Sequence, residues 1–303
     1  MDNSKCSVIF TIGKEEETMK EPSIEETRSI LAEEMKKYVE IILKEFHDVI
    51  PTSRQDALRN IQDFKEYVLI EDSGTISMFA KGLNVIMPLG AYQIFERMSR
   101  EPDFGSDKDH KIFQEGEILN NNTYYDYINH VLLTGMTVQE FFLDSLLHEV
   151  MHVGGSGGGS ALREGMTELK TRELAEKYHL KASRCGYPKE VAIVYKLQSF
   201  LGKDIINQIS FSHGSQQVEE ILNSTYGEQI TKLYFEIEKM MNDIQHRNYN
   251  HSKFGGPMGH IEKAKAYSKI DYASVYEKIE KMEYLVSRQQ ESKPGVDVED
   301  VEF

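Results

Sequence analysis

The chain has 303 residues, with 35 Lys plus Arg against 50 Asp plus Glu, and its formal net charge of -15 opposes binding to nucleic-acid phosphates or anionic lipid surfaces. Hydrophobic residues at 40% and charged residues at 28% exclude a wholly disordered chain and allow a sizeable core, in one large or two closely joined domains. Two cysteines, Cys6 and Cys185, exclude a disulfide-rich scaffold and fit a reducing compartment. The apolar stretch Val8 to Ile12 is too short for a signal h-region, and no run approaches the roughly 18 apolar residues of a membrane span. The expectation is a soluble, cytoplasmic protein, export by a signal-independent route left open, whose partners are neutral or cationic.

Residues 1–22 read as an arm or edge strand. Ser23 and Glu26 then have capping-box spacing, and Ile24, Leu31, Met35, Tyr38, Ile42 and Phe46 recur at helical period, predicting a long amphipathic helix ended by Pro51. Ser53 is expected to cap a second helix through about Glu66, with Ala57, Leu58, Ile61 and Phe64 inward. From Tyr67 the period becomes that of strands: Tyr67 to Ile70, Thr75 to Ala80 and Leu83 to Pro88, separated by turns at Asp72 to Gly74 and at Lys81 and Gly82. This predicts a small antiparallel sheet. A helix over Ala91 to Ser99 and a loop over residues 100–123 follow, then helices from Tyr124 to about His246. An irregular segment from Arg247 to Gly259 leads to a last helical stretch. The fold class is α+β, mostly helical, with the sheet packed near the active-site helix. The expected division is an arm at 1–22, helices plus sheet at 23–123, a helical catalytic part at 124–289 and an acidic tail at 290–303.

The chemistry lies in the segment VQEFFLDSLLHEVMHVGG, opened by Thr137 and Glu140 at capping-box spacing and stopped by Gly154 and Gly155. His148 and His152 are four residues apart, so on a helix both imidazoles project from one face within reach of one metal ion, with Glu149 beside them. Imidazole is a good zinc ligand, and two ligands on one rigid turn lose little entropy on binding. Histidines bonded to backbone in an ordinary core are the bland alternative, but this pair interrupts the most apolar helix of the chain.

A catalytic zinc takes a third protein ligand and keeps one position open. After the glycine run GGSGGGS, Ser160 can cap a second helix reading ALREGMTELKTRELAEKY, on which Glu164 and Glu168 share a face. Glu164, in the first turn, is the candidate third ligand, and Glu168, one turn deeper, can accept the free N–H of a ligating histidine. Asp144, one turn before His148, is a candidate for orienting a ligand. The glycine run lacks the Lys of a phosphate loop and is expected to form a mobile wall of the cleft.

These residues resemble the gluzincin class of zinc metallopeptidases, in which an HExxH helix is followed by a second helix with a glutamate motif of the NExxSD or NEGxTE kind. The match is His148, Glu149 and His152, then Arg163, Glu164, Gly165, Thr167 and Glu168, with Arg163 where the motif usually has Asn. The metzincin pattern HExxHxxGxxH is not met, because Gly158 stands at its last ligand position. The resemblance implies hydrolysis of a protein or peptide substrate by zinc-activated water, with Glu149 as general base. It also implies a downstream Tyr or His donating to the oxyanion. Tyr187 is the preferred candidate, together with the loop HRNYNHSKFGG; Tyr178, His179, Tyr195, His213, Tyr249, His251 and His260 are the others in view. The sheet edge over Thr75 to Pro88 offers a place for an extended peptide to add as a strand. Two other readings remain: a non-catalytic metal-binding regulator, and a helical interaction module in which HEVMH is coincidental.

Overall fold

A computed structural model describes residues 23–72, 78–89, 138–157, 159–180, 187–249 and 269–291. The arm, the helix at 91–99, the loop to 123, the Thr137 cap, the segment from 250 to 268 and the tail from 292 lie outside the described residues. Helix α1, Ile24–Glu45, starts as its capping box predicts, with the Ser23 hydroxyl accepting from the Glu26 N–H at 3.2 Å. Helix α2, Thr52–Arg59, is shorter than its pattern. It begins behind Pro51 without a side-chain cap, so Ser53 is not its cap. It stops at Asn60, because the Asp63 carboxylate accepts from the Lys65 N–H at 2.9 Å and opens a separate 3-10 turn over Phe64–Tyr67.

The sheet has three strands, β1 Val68–Glu71, β2 Phe79–Lys81 and β3 Asn84–Pro88, in the order β1-β3-β2. It is mixed rather than antiparallel, since β1 runs parallel to β3 with Val68 opposite Val85. Strands β2 and β3 form a hairpin, closed between Lys81 and Asn84 by a two-residue turn whose Gly82 has φ +69°. The hairpin occupies one side of β3, which leaves β1 the other side. Strand β3 is buried over Val85–Pro88, so both of its faces are covered and it reads as a continuous apolar run instead of an alternating one. Among the described residues, strand β2 lies at an edge of the sheet.

Seven more helices are described: α3 Val138–Val153, α4 Ala161–Tyr178, α5 Pro188–Leu201, α6 Lys203–Ser210, α7 Gly214–Tyr226, α8 Glu228–Tyr249 and α9 Ala273–Glu291. The protein is thus α+β and mostly helical, and among the described residues no helix is long and apolar enough to cross a membrane. Two apolar clusters organise it. One gathers Leu31, Met35 and Ile42 of α1, Val85 and Met87 of β3, and Phe142, Leu146 and Val150 of α3. The other gathers Leu162 and Met166 of α4 with Val194, Leu197, Ile237 and Ile279 of α5, α8 and α9. Helices α3 and α4 pack on each other, so the two helices that carry the sequence motifs meet where the clusters join.

Helix α5 approaches α4 through Gly165, where a Cβ would lie 2.8 Å from the main-chain carbon of Glu190. A glycine inside a helix costs about 1 kcal/mol relative to alanine. Here that cost is offset by an approach no larger side chain permits.

Candidate metal centre

Helix α3 ends in a Schellman motif. The Ser156 N–H donates to the Met151 carbonyl at 3.0 Å and the Gly155 N–H to the His152 carbonyl at 2.9 Å, with Gly155 at φ +103°. This stop returns the chain over its own last turn. It puts the Ser156 carbonyl 3.0 Å from His152 Nδ1, so Nδ1 carries a proton and donates, and Nε2 is the nitrogen left to offer a metal once it is deprotonated. The glycine run is therefore not the expected mobile wall over its described part. Gly154, Gly155 and Ser156 are buried, and the Gly157 N–H is bonded to the Ser210 carbonyl at 2.8 Å.

Helix α4 begins at the expected cap, the Ser160 hydroxyl accepting from the Arg163 N–H at 3.2 Å. Its first turn is tied to α8, with the Ser160 hydroxyl donating to Glu238 and the Ala161 N–H to Asn242, both at 2.8 Å. From there Glu164 and Glu168 face α3. Glu168 is 3% exposed and accepts from His148 Nδ1 at 2.9 Å, while its other oxygen accepts from Arg172 Nε at 3.2 Å. Glu164 directs Oε2 at both histidines, and its Oε1 accepts from the Gly159 N–H at 3.2 Å.

His148 Nε2, His152 Nε2 and Glu164 Oε2 form a triangle with edges of 3.2, 3.3 and 3.4 Å. Four ligands at about 2.0–2.1 Å in a tetrahedron stand about 3.3 Å apart, so three protein atoms already occupy one face of a zinc-sized tetrahedron. Both imidazoles have their second nitrogen bonded to an acceptor, as metal-ligating histidines do. The donor set fits zinc on number, type and spacing, and it is the metal-competent group among the described residues.

Burial opposes charge on His148, but hydrogen bonds to Glu164 and Glu168 outweigh it and hold its pKa well above the usual imidazole value. His152 is raised too, burial again being outweighed, chiefly by Glu164. Burial acts the other way on Glu164, yet its hydrogen bonds to the two histidines hold its carboxyl well below the usual carboxylate range. A metal ion must therefore displace imidazole protons and none from Glu164. Below the imidazole pKa values zinc affinity should fall by up to about 100-fold per pH unit, two protons leaving per ion. Chelator competition at several pH values measures this slope, and a tenfold slope would remove one histidine from the set.

Glu149 lies beside the triangle, and the Ala80 N–H on β2 donates to its carboxylate. Burial raises the Glu149 pKa, partly offset by the neighbouring histidines. Tyr187 is the residue before α5, left-handed at φ 55° with Pro188 behind it, and its ring stacks on that of His148 at 5.9 Å and 24°. A left-handed backbone costs a non-glycine residue about 1–2 kcal/mol, a strain retained here at the side of a candidate ligand.

The other candidates lie elsewhere. Asp144 orients neither imidazole, since Glu168 and the Ser156 carbonyl hold the two Nδ1 atoms; its charge acts on Tyr38 of α1. Tyr178 donates to Glu45, and His179 ends α4 in the left-handed region, about 22 Å along the helix from Glu164. Tyr195 is 65% exposed on α5, and His213 is an exposed residue before α7. The Tyr249 side chain, His251 and His260 fall outside the described residues. Sequence reading missed Ser156, Arg172 and the Ala80 N–H. Arg172 had a signal, its spacing of four from Glu168, and Ser156 follows the Gly155 stop; nothing local marks Ala80. No protein-family profile, curated protein or solved structure matches the chain.

Proposed function

We propose that this protein is a zinc-dependent metallopeptidase of gluzincin type, cutting peptide bonds within protein or peptide substrates. The observation that carries this reading is the triangle of His148 Nε2, His152 Nε2 and Glu164 Oε2, whose 3.2–3.4 Å edges match a tetrahedral zinc face. Zinc bound there supplies a Lewis acid for the scissile carbonyl and lowers the pKa of a bound water to about 7. Glu149, next in sequence to the first ligand, takes a proton from the attacking water on its carboxylate and returns it to the departing amine nitrogen. The stacking of Tyr187 on His148 supports its assignment as the donor to the developing oxyanion. The placement of edge strand β2 beside Glu149 supports an extended substrate that adds along this strand, aligned by main-chain hydrogen bonds.

The test is elemental analysis of protein purified without chelator or added metal, followed by digestion of a peptide library with and without chelation. About one zinc per chain and cleavage lost on chelation are expected. Absence of zinc would overturn the metal assignment. Zinc without cleavage of any library peptide would favour the non-catalytic regulator.

A further inference from the structure

Arg163 and Thr167 form a second polar stripe on α4, one residue out of step with Glu164 and Glu168 and so about 100° round the helix. Where the glutamate stripe faces α3, this one is directed at the C-terminal turn of α6. Arg163 Nη1 donates to the carbonyls of Ile209 and Ser212 at 3.0 and 3.2 Å, and Nη2 to the Ser212 hydroxyl at 3.3 Å. Ile209 is in the last turn of α6 and Ser212 lies just past it, at the end where helix carbonyls lack intrahelical partners and a cation is favoured. Thr167 Oγ1 lies 2.6 Å from Ser156 Oγ, which lies 3.1 Å from Ser210 Oγ.

We infer that Arg163 and Ser210 are positioning residues for the metal centre, joining both halves of its ligand set to one turn, Ser210–Ser212. This inference rests on the zinc reading above. On the α3 side, the Ser156 carbonyl fixes His152 Nδ1, and Ser156 is fixed in turn by Ser210 and Thr167, with the Gly157 N–H on the Ser210 carbonyl. On the α4 side, Arg163 adjoins the ligand Glu164 and ties that helix turn to the carbonyls of Ile209 and Ser212, on either side of Ser210. The two sides also touch directly, because a Cβ on Gly157 would lie 2.6 Å from Arg163 Nη1. The loop after HExxH thus lies flush on the guanidinium.

The turn is a rigid base for this purpose. Just before it Ile206 and Ile209 pack in one apolar cluster, while Phe211 within it packs in the other, 4.9 Å from the Phe46 ring. Ser210 and Thr167 are fully buried and Ser156 and Arg163 nearly so, and a buried network with every member bonded specifies one geometry. A site whose ligand atoms must converge within a few tenths of an ångström is where such specification acts.

The experiment uses the full chain and compares wild type with Ser210→Ala, Arg163→Met, Arg163→Lys and the double variant Ser210→Ala/Arg163→Met. Zinc affinity is measured by competition with a chromophoric chelator, and the thermal midpoint and helical circular dichroism are measured on metal-free protein. Partners of metal ligands typically change affinity 10–100 fold when removed. Neither Arg163 nor Ser210 touches a ligand, so Arg163→Met should weaken zinc by the lower end of that range, about tenfold, and Ser210→Ala, which removes one hydroxyl, by less. Arg163→Lys should recover part of the loss, since an ammonium can reach one carbonyl but not span two. The double variant should lose less than the product of the single losses, because both act through one turn. Folded Arg163→Met and Ser210→Ala binding zinc as tightly as wild type would overturn the inference and leave the zinc reading intact, even if both melted at lower temperature. Failure of wild type to bind zinc would overturn both.

Discussion

Stoichiometric zinc binding is expected to disappear in His152→Ala. The substitution removes one corner of the ligand triangle and leaves the imidazole of His148 and the carboxylate of Glu164, two ligands where a zinc site takes three or four. The fold should survive, because His152 is part-buried at the joint between helices and its removal vacates no apolar core position. Glu164→Ala should come close to the same loss. Glu168→Ala should be milder, about 10–100 fold in affinity, since its carboxylate holds His148 Nδ1 without touching the ligand face. Atomic absorption on dialysed protein reads the first two variants and chelator competition the third. Wild-type zinc content in His152→Ala would refute the site, and a greater loss in Glu168→Ala than in Glu164→Ala would exchange the roles of the two acids.

The ligand set was legible because each part of it is local. His148 and His152 stand one helical turn apart, and so do Glu164 and Glu168, so the two pairs need only a turn between their helices to meet. Gly154 and Gly155 announced that turn, and Ser160 announced the second helix. What holds these groups came from further off. The Ala80 N–H reaches Glu149 from a strand about seventy residues away in sequence, and Arg163 reaches the carbonyls of Ile209 and Ser212 around the end of α6. Neither has a spacing that marks it, and Arg163 looked only like a departure from the usual Asn. The glycine run misled for a related reason: glycine permits flexibility, but it equally permits the left-handed Gly155 and the close passage of Gly157 over a guanidinium.

The sheet shows the same division. Its strands were legible from apolar alternation, yet their pairing was not, because consecutive strands are read as hairpins unless something argues otherwise. The continuous apolar run Val85, Ile86 and Met87 did argue otherwise, since a strand covered on both faces reads so and such burial is the mark of parallel pairing. Helix α2 ended early because Asp63 captured the backbone as a cap, a competition that apolar period alone does not register.

Glu149→Gln should retain zinc and lose turnover. The amide keeps the length and planarity of the carboxylate and can still accept from the Ala80 N–H, so the placement of the side chain against β2 should persist. It cannot take a proton. General-base catalysis contributes typically about 10²–10⁴ fold, and the rate left would be that of a polarised carbonyl attacked by water without proton transfer. The acid limb of the wild-type rate profile that reports the Glu149 carboxylate should vanish in the variant. The comparison is digestion of one unfolded protein by zinc-loaded wild type, zinc-loaded Glu149→Gln and chelated wild type, followed by mass spectrometry. Equal cleavage by the first two would refute the proposed mechanism, because that mechanism assigns the proton transfer to the Glu149 carboxylate.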